Sequence, residues 1–177
     1  MRIYLIGFMG SGKSTIGKKL SERMGYEFID LDKLMEGLEK KTVAEIFSQR
    51  GEEFFRQLEA DVLHSTILHK NAIISCGGGT PCYFDNMEWM NARGLTVYLK
   101  MQPETLYGRL KTRKEKRPLI AHLNNEQLKD YIFQKLSERE AFYLQAQLMP
   151  EPEKMKHKEI MDMIRDKVRQ SKKQLPE

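Results

Sequence analysis

The chain has 177 residues and a net charge of +5, and its 40% hydrophobic and 31% charged residues are typical of one folded domain over residues 1–177. No apolar run reaches the roughly 20 residues that a membrane-spanning helix needs. The apolar start runs into glycines and Lys13 without the cleavage site of a signal peptide. These features exclude a disordered chain and predict a cytoplasmic protein with no membrane partner.

Short β-rich segments alternate with helical patterns along most of the chain. The predicted strands are 3–6, 27–29, 72–75 and 95–99, with at most one more near 148. The predicted helices are 13–24, 42–49, 52–69, 84–92, 103–110, 126–146 and a closing helix around 160–168. Thr42 and Glu45 have the spacing of a capping box. This alternation predicts βαβ units and therefore an α/β fold of three layers, with helices on both faces of a parallel sheet.

A glycine-rich turn follows the first predicted strand. Residues 7–14, GFMGSGKS, match the pattern G-x-x-x-x-G-K-[ST] between an apolar strand and an amphipathic helix, which is the context of a phosphate-binding loop. Glycines let backbone N–H groups converge on phosphate oxygens, and the amino end of the helix attracts an anion. We expect Lys13 to reach the β- and γ-phosphates of a nucleotide and Ser14 to bind Mg²⁺.

Other parts of the sequence indicate which class of phosphate-binding protein this loop belongs to. A GTPase would show an Asn-Lys-x-Asp pattern after a later strand, and the sequence has none. A motor ATPase would show an apolar strand ending in Asp-Glu, whereas the third predicted strand runs into Gly77, Gly78 and Gly79. Three glycines predict close approach of the backbone to a compact ligand, because a tight turn alone needs only one. The two cysteines that flank this turn, Cys76 and Cys82, are expected to be reduced.

Asp30 and Asp32 close the second predicted strand. Parallel strands present their carboxyl ends to the ligand crevice, and residues i and i+2 of an extended segment point to the same side. One carboxylate would therefore face Mg²⁺ and the other a substrate hydroxyl. The alternative is that Asp32 only caps the next helix.

Three separated arginines are candidates for binding anions. Arg117 lies in a basic, proline-broken segment, which predicts a mobile lid over about 111–124 whose arginine closes over ATP. Arg56 and Arg139 have plain alternatives, a solvated helix face and a surface ion pair. Because the basic cluster coincides with the predicted lid, the positive charge does not indicate a nucleic-acid partner.

Together these motifs resemble the shikimate kinase family. The matches are G-F-M-G-S-G-K-S-T, F-I-D-L-D, G-E-E-F-F-R-x-L-E, I-S-C-G-G-G, R-P-L and S-E-R-E-x-F-Y, in that order. The resemblance implies a nucleoside-monophosphate-kinase-like P-loop NTPase fold with a five-stranded parallel sheet of order 2-3-1-4-5. It also implies transfer of the γ-phosphate of ATP to the 3-hydroxyl of shikimate, in aromatic amino acid biosynthesis.

The same resemblance implies the roles of the site residues. ATP would be bound by Arg117 and by residues 10–15, namely Gly10, Ser11, Gly12, Lys13, Ser14 and Thr15. Mg²⁺ would be bound by Ser14 directly and by Asp30 through water. Asp32 would hydrogen-bond the attacking hydroxyl as the candidate base, and Lys13, Asp32 and Arg117 would form the catalytic set. Shikimate would be held by Asp32, Arg56, Gly78 and Arg139.

The segment after Tyr143 departs from the family pattern. The fifth strand expected near Leu148 is truncated, Gln147 replaces the usual acid, and either Arg109 or Arg113 would stack on the adenine base. Two rival functions stay open: a kinase of the same fold with another acceptor, such as gluconate, and a non-catalytic nucleotide-sensing module. The lysine, aspartate and lid arginine of the catalytic set argue against the second rival. We expect a monomer.

Overall fold

The computed structural model describes residues 1–173, except for the side chains of Lys116, Pro118, Lys172 and Lys173. Its strands are β1 (Arg2–Ile6), β2 (Glu27–Asp30), β3 (Ala72–Ser75) and β4 (Gly94–Tyr98). They form one parallel sheet in the order β2-β3-β1-β4. The predicted parallel sheet and the order of its first four strands are therefore confirmed.

The helices cover both faces of this sheet. They are α1 (Lys13–Met24), α2 (Leu31–Glu39), α3 (Val43–Ser65), α4 (Asn86–Arg93), α5 (Pro103–Lys111), α6 (Pro118–Ala121), α7 (Asn125–Tyr143) and α8 (His157–Lys173). Ile3 and Leu5 of β1 belong to one buried cluster with α1 and α8 residues, whereas Tyr4 and Ile6 belong to a second cluster with α3, α4 and α7 residues. Because side chains alternate along β1, the two clusters lie on opposite faces of the sheet, and the fold has three layers. No helix within residues 1–173 combines the length and apolarity needed to cross a membrane.

The predicted fifth strand is wrong as a full strand. Within residues 1–173, the position beside β4 is taken by a single parallel bridge between Val97 and Leu148. Leu148 donates to the Thr96 carbonyl at 3.1 Å and accepts from the Tyr98 N–H at 2.8 Å. In a parallel ladder the next donor would be two residues on, which is Pro150, and proline has no N–H. Pro150 still accepts from the Lys100 N–H at 3.0 Å but cannot donate in return, so only the Val97–Leu148 bridge forms.

Helix α2 differs from the prediction, whereas α3 agrees with it. Helix α2 was not predicted, and its cap is Asp30, whose side chain accepts from the Lys33 N–H, so Asp32 does not cap it. Helix α3 begins with the predicted capping box of Thr42 and Glu45 and is interrupted at Gly51, where φ is 80° and ψ is 172°. This interruption confirms the predicted break between two helical segments.

Candidate active site

The glycine-rich turn connects β1 to α1 at the carboxyl edge of the sheet. Gly7, Gly10 and Gly12 have φ angles of 135°, 84° and 98°, which side-chain-bearing residues rarely adopt. Gly12 caps α1, so the free amino end of this helix faces the turn. The Lys13 ammonium group donates to the carbonyls of Gly7 at 2.8 Å and Phe8 at 3.0 Å. Lys13 therefore crosses the turn, and burial lowers its pKa to about 8.

A polar cleft of about 240 Å³ opens over this turn. The residues that line it come from four separate parts of the chain. They include Gly10, Gly12, Lys13, Ser14 and Thr15, then Asp30 and Asp32, then Gly77 and Gly78, and finally Arg113 and Arg117. The structure thus brings together most of the predicted ATP-binding and catalytic residues, whereas Ser11 is buried.

The two carboxylates at the carboxyl end of β2, on its last residue and two residues on, have different surroundings. Asp30 accepts a hydrogen bond from the Ser14 hydroxyl at 3.0 Å, and the same hydroxyl lies 3.2 Å from that of Ser75. Burial of Asp32, with smaller effects of the Asp30 and Glu59 carboxylates, raises its pKa to about 6. A carboxylate with a pKa this close to neutrality can accept a proton and release it again.

Arg56 is not a solvated surface residue, since only 13% of its side chain is exposed. Its guanidinium pairs with Glu59 at 2.9 Å and with Glu52 at 3.3 Å. Glu59 is 1% exposed and also accepts a hydrogen bond from the Thr80 hydroxyl at 2.6 Å. A Cβ added to Gly79 would lie 2.7 Å from Arg56 Nη1, so the glycine allows the guanidinium to approach the backbone.

Arg139 reaches the same glycine run from α7. A Cβ added to Gly78 would lie 3.2 Å from Arg139 Nη1, and the guanidinium lies 5.7 Å from the Phe8 ring. The acids on either side of Arg139 pair elsewhere, Glu138 with Lys135 and Glu140 with Lys100. The surface ion pair considered from the sequence is therefore wrong. Arg56 and Arg139 instead converge on Gly78 and Gly79.

The end of α5 and the segment after it place three arginines toward the cleft. Arg117 and Arg113 line the cleft, and burial lowers the pKa of Arg117, which Asp32 partly opposes. Arg109 donates to the Gly10 carbonyl at 3.1 Å. These three arginines are spaced by four residues, and all lie near the turn that begins α1.

Several contributors to the site were not predicted from the sequence. Glu52, Ser75, Thr80 and Tyr83 each hydrogen-bond a predicted site residue or one of its partners. The spacing of Glu52 and Glu59 from Arg56, four and three residues along one helix, could have indicated ion pairs. No comparable signal marks Thr80 or Tyr83, because their contacts depend on the path of the turn after β3.

The fold and the cleft define a class, that of P-loop proteins that bind a nucleotide beside a second, acidic-substrate site. Family comparison identifies the member of this class: residues 9–169 match the family model described as shikimate kinase. The chain therefore belongs to the shikimate kinase family.

Individual relatives agree with this assignment. The chain is 46% identical to the shikimate kinase of Parabacteroides distasonis, over 87% of this chain and 89% of that protein. The crystal structure of shikimate kinase from Bacteroides thetaiotaomicron superposes with a TM-score of 0.90 at 39% identity, over 96% of this chain and 98% of that one. Shikimate kinase from Acinetobacter baumannii in complex with shikimate has a TM-score of 0.85 at 31% identity, over 97% and 94% of the two chains.

Proposed function

We propose that this chain transfers the γ-phosphate of ATP to the 3-hydroxyl of shikimate, giving shikimate 3-phosphate and ADP. The observation that carries the proposal is the position of two arginines, Arg56 and Arg139, on the glycine run that also lines the phosphate cleft. Two guanidinium groups suit a carboxylate, and the cleft suits the phosphates of ATP. The solved complex of the Acinetobacter baumannii relative with shikimate supports this acceptor.

The residues beside the phosphate turn fit Mg²⁺. Hydroxyl and carboxylate oxygens are its preferred ligands, and the Ser14 hydroxyl lies 3.0 Å from an Asp30 oxygen. Ser14 would bind the ion directly and Asp30 would hold its water shell. The ion would neutralise and orient the phosphate oxygens. Backbone N–H groups of residues 10–15 and the Lys13 ammonium would bind the phosphates themselves.

The acceptor side of the site supplies positioning and one proton transfer. Arg56 and Arg139 would hold the shikimate carboxylate, and the Gly78 N–H would hydrogen-bond the acceptor. In this orientation the attacking hydroxyl would lie at Asp32. The Asp32 carboxylate would accept the hydroxyl proton as the hydroxyl oxygen forms its bond to the γ-phosphorus and the bond to ADP breaks. Lys13 and Arg117 would stabilise the negative charge on the transferred group. Little other chemistry is needed, because phosphoryl transfer depends mainly on alignment and charge.

Several features of the chain as a whole belong to this proposal. We infer one domain over residues 1–177, of which the last four lie outside the described residues, with a lid over about 111–124. Arg109 or Arg113 would stack on adenine. A monomer with small-molecule partners and a cytoplasmic location stay predictions from the sequence.

The direct test is ADP release by the purified chain, measured by a coupled assay with shikimate, gluconate, a nucleoside monophosphate or no acceptor. We expect turnover that depends on shikimate and Mg²⁺. Equal ADP release without shikimate would refute the proposal. Preference for gluconate would favour the rival kinase, and nucleotide binding without acceptor-dependent turnover would favour a non-catalytic module.

Removal of one carboxylate-binding arginine tests the acceptor site. Arg139→Ala should lower kcat/KM for shikimate by about 10- to 150-fold, since a paired guanidinium is worth about 1.5–3 kcal/mol, and should leave KM for ATP within twofold. The exposed Arg169 of α8 gives a matched control, and Arg169→Ala should change neither constant. Unchanged shikimate kinetics in Arg139→Ala would remove this residue from the site.

A further inference from the structure

Two residues of the turn that follows the glycine run, Thr80 and Tyr83, contact Arg56 or the carboxylates that pair with it. This turn, residues 80–83, is defined here as the positioning turn. We infer that the positioning turn fixes the direction in which Arg56 presents its free N–H groups to the acidic substrate, with Thr80 and Tyr83 as positioning residues. The inference rests on the proposed function, since it concerns the same carboxylate-binding arginine.

Thr80 acts through the buried Glu59. The two oxygens of Glu59 have separate partners: Oε1 accepts from the Thr80 hydroxyl at 2.6 Å, and Oε2 accepts from Arg56 Nη1 at 2.9 Å. Thr80 and Glu59 are 0% and 1% exposed. The buried Asn86 side chain donates to the Thr80 carbonyl at 2.9 Å and so ties the turn to α4. Because water does not reach this carboxylate, the Thr80 hydroxyl decides its rotation and hence where Arg56 Nη1 is held.

Tyr83 acts on Arg56 through its ring and through Glu52. The ring lies 4.1 Å from the Arg56 Cζ, within the range of a cation–π contact. Its hydroxyl donates to Glu52 Oε1 at 2.8 Å, and the same oxygen accepts from Arg56 Nε and Nη2 at 3.4 and 3.3 Å. This hydrogen bond lowers the pKa of Glu52 and so favours the charged carboxylate that Arg56 requires. Tyr83 therefore constrains both the plane and one edge of the guanidinium.

The number of donors shows why orientation matters. A guanidinium has five N–H groups, and those of Arg56 use three on Glu52 and Glu59. Two N–H groups, one on each terminal nitrogen, are left for a substrate carboxylate. Arg56 also packs flat against Gly79, whose added Cβ would lie 2.7 to 3.2 Å from Nη1, Cζ and Nη2. A rotation that freed a different pair of N–H groups would misalign the carboxylate fork.

Isosteric substitutions separate the two contacts. Thr80→Val removes the hydroxyl and should lower kcat/KM for shikimate by about tenfold or more, whereas Thr80→Ser should stay within about threefold of the original chain. Tyr83→Phe keeps the ring and should cost about threefold to tenfold. Tyr83→Leu also removes the ring and should cost more than Tyr83→Phe. In all four variants KM for ATP should stay within twofold.

A double-substitution cycle distinguishes positioning from general destabilisation. If Thr80 acts through Arg56, then Thr80→Val should have less than a twofold effect in an Arg56→Lys background, because that background has already lost the guanidinium fork. Slopes of rate against shikimate concentration at saturating ATP give kcat/KM even where KM is high. Matched controls are Thr96→Val in β4 and Tyr4→Phe in β1, which should leave the shikimate constants unchanged.

The outcomes separate this inference from the proposed function. If the original chain is shikimate-dependent but folded Thr80→Val and Tyr83→Leu keep kcat/KM within twofold, the positioning role is refuted. Equal losses in the ATP and shikimate constants would also refute it, as would an undiminished effect of Thr80→Val in the Arg56→Lys background. If Thr80→Val fails to fold, Tyr83→Phe and Tyr83→Leu decide the result. Absence of shikimate-dependent turnover in the original chain would instead overturn the proposed function itself.

Discussion

Asp32 and Lys13 lie at the same cleft, and burial acts against the charge of both. It lowers the pKa of Lys13 to about 8 and raises that of Asp32 to about 6, while each charge partly opposes the shift of the other. Burial of incompletely compensated charge costs stability and is common where a side chain must act on a ligand. Burial of these two groups therefore lowers the stability of the free protein, while it brings their pKa values closer to neutrality.

Asp32→Asn should separate the effect of this carboxylate on stability from its effect on the reaction rate. The Asp32 pKa is about 6 in the folded protein and 3.8 ordinarily, so ionisation favours the unfolded state. This penalty is absent below about pH 4 and complete above about pH 6. The substitution should therefore raise the free energy of unfolding by about 1–3 kcal/mol at pH 8 and little at pH 4. Urea unfolding in EDTA, without nucleotide, measures this change.

The same variant should lose about a hundredfold or more in kcat and still bind ATP, because proton acceptance by a positioned group contributes about 10²–10⁴. Asp130→Asn, at an exposed position of α7, is the control and should change neither stability nor rate. An unaffected turnover rate in Asp32→Asn would remove this carboxylate from the mechanism. Lower stability at pH 8 would contradict the proposed burial penalty.

At the scale of elements, the interruption of α3 divides the helix by function. The segment before Gly51 begins with the Thr42 capping box, and the segment after it carries Glu52, Arg56 and Glu59. At Gly51 the angles φ 80° and ψ 172° lie in a region that is essentially restricted to glycine. The glycine thus sets the direction of the segment that carries Arg56, the arginine proposed to bind the substrate carboxylate.

Gly51→Ala should lower the free energy of unfolding by about 1–3 kcal/mol, the usual cost of a strained backbone conformation. A Cβ at this position would meet no atom within 4 Å, so the loss would come from the backbone and not from a clash. Gly37→Ala in α2 is the matched control. Its Cβ also meets nothing within 4 Å, and its helical position should make the change stabilising by about 0.5–1 kcal/mol. Equal effects of the two substitutions in urea unfolding would contradict this explanation.

The same elements show how far the sequence could predict the molecule. Helix α1 follows from its amphipathic pattern and its flanking glycines, and α3 from its capping box and Gly51. Helix α2 begins at the residue directly after β2, so no turn residues mark its start. The pairing beside Leu148 stays short because Pro150 accepts from the Lys100 N–H but has no N–H to donate.

The residues of the site, like the elements of the fold, could be predicted only in part from the sequence. Residues within contiguous motifs, such as Lys13 and Asp32, could be assigned because their chemistry follows from their spacing along one strand or turn. The support of Arg56 by Thr80 and Tyr83 could not, because it joins segments more than twenty residues apart through side-chain geometry. Sequence spacing thus predicted the groups that line the cleft better than the groups that hold Arg56 in place.

At the scale of the whole molecule, the phosphate cleft lies between a rigid sheet edge and a basic segment. The sheet edge supplies the turn before α1 and the carboxylates of Asp30 and Asp32, whereas Arg113 and Arg117 come from the segment after α5. Lys114 of that segment donates to the Leu123 carbonyl, a contact within the proposed lid. Phosphates bound in the cleft would attach this segment to the sheet edge by charge–charge contacts.

Limited proteolysis tests this coupling, because opening of the proposed lid should make the bonds after Lys111, Arg113 and Lys114 accessible to trypsin. ADP with Mg²⁺ at about 100 times its Kd should slow cleavage there by at least about tenfold, since ligand binding reduces the open population in proportion to 1 + [L]/Kd. Cleavage after Lys70, which precedes the amino end of β3 at the opposite edge of the sheet, should keep its rate. Both rates can be read from the masses of the first fragments. Equal protection at the two places would indicate global stabilisation, and no protection at the lid would show that it does not close over the nucleotide.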